Sequence, residues 1–129
     1  FHMYFSCLPK DPWCNSQGFM AVPTAAAWKY TFQLFHKAFS PTENYPDAFY
    51  TNTVESITCI GQDTVVTEGY ITGLARGMTA PYRTSMHSVF KMAYDANGML
   101  IPNKVASYWA FLEDEVVSPV FPFLLNPRD

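Results

Sequence analysis

Two hydrophobic periods divide the chain near residue 54. Before it the clearest run is a helix: Trp28, Phe32, Phe35 and Phe39 recur at intervals of four, three and four, which puts four rings on one stripe and leaves Lys29, Gln33, His36 and Lys37 off it. Thr24, following Pro23, suits the N-cap, and Ser40-Pro41 ends the helix because a proline disfavours helical backbone in the residue before it. Residues 1–7 read as a short strand, the prolines at 9 and 12 and the NSQG at 15–18 mark turns, and 41–53 reads as loop.

From residue 54 the period is two. The pattern predicts strands at 54–60, 64–72, 82–95 and 99–113, joined by GQD (61–63), a long loop at 73–81 and the ANG turn at 96–98. The apolar tail 116–125 is broken by prolines, which predicts a segment lying over another surface rather than an element of its own. Helical material followed by a run of antiparallel strands is an α+β signature.

Alternation splits the 82–95 strand into two faces. Tyr82, Thr84, Met86, Ser88, Phe90, Met92 and Tyr94 form the apolar side, which is expected to face the helix; Arg83, Ser85, His87, Val89 and Lys91 form the other. If the 73–81 loop joins its strands symmetrically, Thr72 opposes Tyr82, Tyr70 opposes Thr84 and Glu68 opposes Met86, which carries Glu68 and Tyr70 into the interior. An interior carboxylate would be pushed towards the range useful for a general acid or base. The alternative for Glu68 is a solvent-facing residue, pairing with Arg83 or Lys91 if a bulge reverses the register.

The 129 residues suit one domain, and 49% hydrophobic with 17% aromatic against 15% charged residues argues for rings that fill a core or line a cavity. A net charge of −3 with scattered basic residues argues against nucleic acid, and apolar runs of only a few residues argue against a membrane span. The expectation is a soluble, cytoplasmic protein. Cys7, Cys14 and Cys59 show no paired framework or metal-ligand spacing, which suits a reducing compartment and no metal. The opening Phe1-His2-Met3 lacks an initiator Met at position 1, so the chain is a piece of a longer one or its first residues come from a cloning junction.

The stretches VFKMAYDANGML (89–100) and KVASYWA (104–110), placed after a helix and within an antiparallel sheet, resemble the nuclear transport factor 2-like superfamily, in its SnoaL-like polyketide cyclase and ketosteroid isomerase branch. The resemblance covers roughly residues 20–112. It implies a single SnoaL-like domain over 1–129, lacking the usual first helix, in which a cone-shaped curved antiparallel sheet wraps around helices. It also implies cofactor-independent acid/base chemistry (cyclisation, isomerisation or dehydration) on an apolar polyketide- or terpenoid-like substrate in a closed pocket, in a homodimer formed through the outer sheet face. A non-catalytic ligand-binding or dimerisation module of the same fold is the alternative. Phe90 stands where the isomerase branch carries an acidic oxyanion donor, so that task passes to other inward groups.

The candidate catalytic residues are therefore Glu68, Tyr70, His2 and His87, the last placed on the outer face unless a bulge turns it. His2 shares a face with Tyr4, in the strand that opens the pocket in relatives. Tyr4, Trp28, Phe32, Met86, Ser88, Phe90, Met92, Tyr108 and Trp109 are the candidate substrate-binding residues, each with ordinary core packing as its alternative. His36 is expected at the surface.

Overall fold

The computed structural model describes all residues, 1–129. In chain order it contains β1 (His2–Ser6), β2 (Phe19–Val22), α1 (Ala25–Phe39), β3 (Phe49–Ile60), β4 (Thr64–Leu74), β5 (Tyr82–Tyr94), β6 (Leu100–Leu112), α2 (Asp114–Val117) and α3 (Phe121–Leu125). The architecture is α+β. One six-stranded sheet runs in the order β2-β1-β6-β5-β4-β3, antiparallel throughout except for the β1–β6 pair, which is parallel.

Helix α1 forms where the ring stripe predicts it. The Thr24 hydroxyl accepts from the Ala27 N–H at 3.1 Å, satisfying one of the free amides of the first turn, and Ser40 closes the far end with its N–H on the Lys37 carbonyl at 3.3 Å. The expected loop at 41–53 is shorter than the pattern suggests. Residues 49–53 belong to β3, because Phe49 to Thr53 pair with Leu74 to Tyr70 of β4. The tail also departs from expectation, forming two short helices rather than irregular chain.

These two helices cover one end of the sheet's inner face. Val117, Val120, Phe121 and Leu124 are buried there, and polar ties hold the segment down. The Ser6 hydroxyl donates to Asp114 at 2.7 Å and the Ser118 hydroxyl donates to Asp11 at 2.7 Å. Arg76, itself buried, donates from Nε to the Ser40 carbonyl at 2.8 Å and from Nη1 to the Arg128 carbonyl at 2.9 Å, joining the end of α1 to the C-terminal segment.

Cys7 and Cys14 form a disulfide, with Cα atoms 5.9 Å apart, and Cys59 is free and exposed. This corrects the expectation of unpaired cysteines and removes the argument for a reducing compartment that rested on it. The bridge spans the turn-rich segment between β1 and β2, where spacing alone carries no pairing signal.

Apolar packing is divided. Met3, Phe5, Val22 and Ala110 form one buried cluster, and Ala38, Ala75, Val120 and Leu124 form the other, with Phe35 against both. Only 19 of 129 residues are buried, so the aromatic stripe of α1 does not close onto the sheet as solid core. It stands over open space. No helix is long and apolar enough to cross a membrane.

Candidate functional site

The register of β4 against β5 decides which side chains line that space. Gly73 opposes Tyr82, Thr72 opposes Arg83, Tyr70 opposes Ser85 and Glu68 opposes His87, one residue away from the symmetric pairing the sequence suggests. A one-residue slip exchanges the faces of a strand. The expectation of an inward Glu68 and Tyr70 is therefore corrected: both lie on the outer face with His87 and Arg83. The physical reason is that β4 runs two residues beyond its expected end, to Leu74, which shortens the connection on one side only.

On that face the Glu68 and His87 side chains are 58% and 54% exposed, with Glu68 Oε1 3.6 Å from His87 Nδ1, and the Arg83 guanidinium stacks on the Tyr70 ring at 3.8 Å. His2, Tyr4 and Trp109 are outside too. Tyr4 pairs with Trp109 across the β1–β6 ladder and their rings stack at 4.0 Å, with His2 beyond Tyr4 at 6.5 Å, while Met3 and Phe5 take the buried side. The strand pairing therefore separates Glu68, Tyr70, His2 and His87, with Tyr4 and Trp109, from the interior.

The inner side keeps the rest. A cavity of about 150 Å³ lies between α1, the sheet and the C-terminal helices, with Phe5, Phe35, Ile71, Met86, Tyr82 and Tyr108 among its walls. It adjoins a mouth of about 420 Å³ bounded by Phe32, Phe35, Phe39, His36, Ser40 and Tyr50. Nearer the N-terminal end of the same α1 stripe a trough of about 290 Å³ is walled by Met3, Trp28, Phe32, Phe90, Val105 and Tyr108, with Phe1 at its edge. Trp28, Phe32, Met86, Phe90 and Tyr108 thus face these spaces. Ser88 is buried and bonds the Tyr108 hydroxyl at 3.1 Å, and Met92, past a ladder irregularity at Lys91/Met92, lines none of them.

Three phenols converge here. Burial pushes Tyr82 well above the ordinary tyrosine range, and the neighbouring Tyr50 adds to the rise. Burial also raises Tyr108, opposed by its hydrogen bond with Ser88, and raises Tyr50, reinforced by Tyr108 and opposed by the Asn52 side chain. Tyr50 keeps 45% of its surface exposed because it stands in the neck between mouth and cavity, so its rise belongs to a partly wet group. All three are neutral hydrogen-bond donors at physiological pH. No carboxylate or imidazole lines the inner cavity; His36, expected at the surface, is exposed and borders only the mouth.

Tyr50 was hidden from sequence reading by its place in an apparent loop. Tyr82 lies on the inward face that alternation assigns it, without a signal that it would share a cavity with two other tyrosines. A usable signal existed in Gly69 and Gly73, since a glycine inside a strand marks close approach. A Cβ on Gly73 would sit 3.0 Å from ring atoms of both Phe39 and Tyr82, so the bare face of that residue points inward.

Raised phenols predict an alkaline limit to stability. Their folded pKa exceeds the unfolded value near 10, so their contribution is complete below that pH and is lost as pH rises through the folded values. Unfolding free energy from urea titrations is expected to fall above about pH 10, and tyrosinate absorbance is expected to develop later in folded than in denatured protein. Tyr94, raised by donating to Asp63 at 2.6 Å, adds to the late fraction, so Tyr82→Phe provides the control that removes Tyr82's part of the site's share. Simultaneous titration of all eight tyrosines at their ordinary pKa would contradict the arrangement.

No family model matches the sequence, and no curated protein matches it. Among solved structures the chain is similar to the 96–104 loop truncation variant of IdmH, with a TM-score of 0.56 at 16% identity over 92% of this chain and 75% of that one. This likeness is one of fold.

Proposed function

We propose that the protein is a cofactor-independent enzyme that closes or rearranges an apolar, carbonyl-bearing polyketide- or terpenoid-like molecule within the hollow beneath α1, on a sheet curved as in SnoaL-like proteins. The observation that carries this reading is that Tyr50, Tyr82 and Tyr108 line one largely apolar cavity that contains no carboxylate. Hydrogen-bond donors aimed at a carbonyl oxygen stabilise the negative charge that grows there during bond reorganisation, and the ring-lined walls hold the reacting ends together. Without a base in the cavity, the reaction this site suits is mass-neutral. Ring closure in which bonds reorganise without loss of a proton fits better than prototropic isomerisation or dehydration, both of which need a base, and acid/base work by Glu68 is not part of the proposal.

The same lack of a carboxylate or imidazole favours a second reading, a binding module that holds such a ligand unchanged. Incubation with linear, apolar polyene ketones followed by chromatography and mass spectrometry separates the two. An isomer of unchanged mass that disappears in the Tyr82→Phe/Tyr108→Phe double variant is the expected result. Binding of the aromatic ketone acetonaphthone that weakens about fivefold in Tyr82→Phe, with no isomer formed from any substrate, would leave only the binding module. Failure to bind acetonaphthone at all would overturn both.

A further inference from the structure

Phe32 lines all three spaces: the mouth beside His36, the inner cavity among the tyrosines, and the trough beside Trp28 and Phe90. It stands midway along the stripe of α1, its ring 5.1 Å from that of Trp28 and 6.1 Å from that of Phe35, and it retains 40% exposure. The inner cavity also shares Tyr108 with the trough, and Phe35, Phe39 and Tyr50 with the mouth. We infer that the three spaces are one passage beneath α1, open at both ends and narrowed at Phe32, and that its ligand is an elongated apolar molecule lying through it. This rests on the proposed function and adds the shape of its substrate.

Volume separates this from a closed pocket. The inner cavity, at about 150 Å³, is below the 300–1,000 Å³ usual for small-molecule sites, so a ligand with its carbonyl at the tyrosines must extend into a neighbouring space. The stripe from Trp28 to Phe39 covers about 16 Å at 1.5 Å per residue, which sets the run available under the helix. The two ends differ in chemistry. Apart from the Tyr108 hydroxyl, already bonded to Ser88, the side chains of the trough are aliphatic or aromatic, so it takes the hydrocarbon end; the mouth adds His36 and Ser40, so it takes the oxygenated end. The ligand class is therefore an extended acyl chain or fused-ring skeleton that carries its oxygen at the mouth side.

Competition of a homologous series of methyl ketones, from hexanone to octadecanone, against bound acetonaphthone tests the passage. Affinity is expected to rise with each added methylene and then level off without falling at the longest members, because neither end meets a wall. Phe32→Trp is expected to weaken the long ketones at least tenfold and to leave hexanone within threefold. Tyr30→Trp, a similar enlargement at an exposed position of α1 that lines none of the three spaces, is expected to leave the whole series within threefold and so controls for changes to the helix itself. An optimum at a short ketone followed by a tenfold fall, equal effects of Phe32→Trp on short and long members, or no displacement by any ketone would overturn the inference. Failure of the tyrosine reading looks different: affinities unchanged in Tyr82→Phe while the length profile persists.

Discussion

Replacing Tyr82 by Phe is expected to lower turnover of the carbonyl substrate about 10²-fold, the loss typical of removing one donor to a developing oxyanion, while Glu68→Gln is expected to stay within about threefold of the parent. The contrast follows from position. Tyr82 faces the inner cavity, and burial and the nearby Tyr50 keep its hydroxyl protonated. Its shift owes nothing to a hydrogen bond within the chain, so the proton is free for a ligand oxygen. Tyr108 is less independent, since its hydroxyl already meets Ser88, and the expected loss for Tyr108→Phe is smaller. The effect of Tyr82→Phe belongs mainly in kcat, because a donor aimed at growing charge does more in the transition state than in the ground state. Rate measurements at saturating substrate on the two variants decide the matter. A Glu68→Gln variant that loses two orders of magnitude while Tyr82→Phe keeps its rate would mean that the chemistry runs on the outer face.

How Glu68 came to be expected inside shows where sequence reading gives out. The α1 stripe, the cap at Thr24, the long strands and the inward face of β5 as far as Phe90 were legible, because each follows from local periodicity; past the ladder irregularity at Lys91/Met92 the expected face is lost, and Tyr94 is exposed. The face of β4 was not. Its even positions carry Val66, Glu68, Tyr70 and Thr72 and its odd positions Val65, Thr67, Gly69 and Ile71, two sets of similar apolar character, so alternation names two faces without saying which is buried. The decision passed to the length of the 73–81 connection, and an error of one residue there exchanged the sets. The disulfide was beyond reach for a related reason: pairing depends on where two turns meet in space, and three cysteines without a framework leave that open. The tyrosine site required β3 to begin at Phe49, which only its pairing with β4 reveals.

The same register makes Gly69→Ala the most destabilising small change in the sheet. A methyl group on Gly69 would lie 1.8 Å from the Thr53 carbonyl oxygen and 2.9 Å from its carbon, with the Val54 Cα at 3.1 Å. These are backbone atoms, at the point where the β3–β4 ladder shifts between Val54 and Ser56, so no side chain can turn aside. Against this, alanine gains roughly 0.5–1 kcal/mol over glycine from its lower chain entropy. Relieving the contact requires β3 to move and costs about 3 kcal/mol or more, so the net expected loss is at least ~2 kcal/mol. Urea unfolding of Gly69→Ala beside Gly98→Ala measures it. Gly98 has φ of 76° and nothing within 4 Å of an added Cβ, so its variant bears only the left-handed strain, about 1 kcal/mol. If Gly69→Ala proves as stable as Gly98→Ala, β3 does not approach β4 there. The pairing that puts Glu68 outside and gathers the tyrosines within would then have to be redrawn from that point.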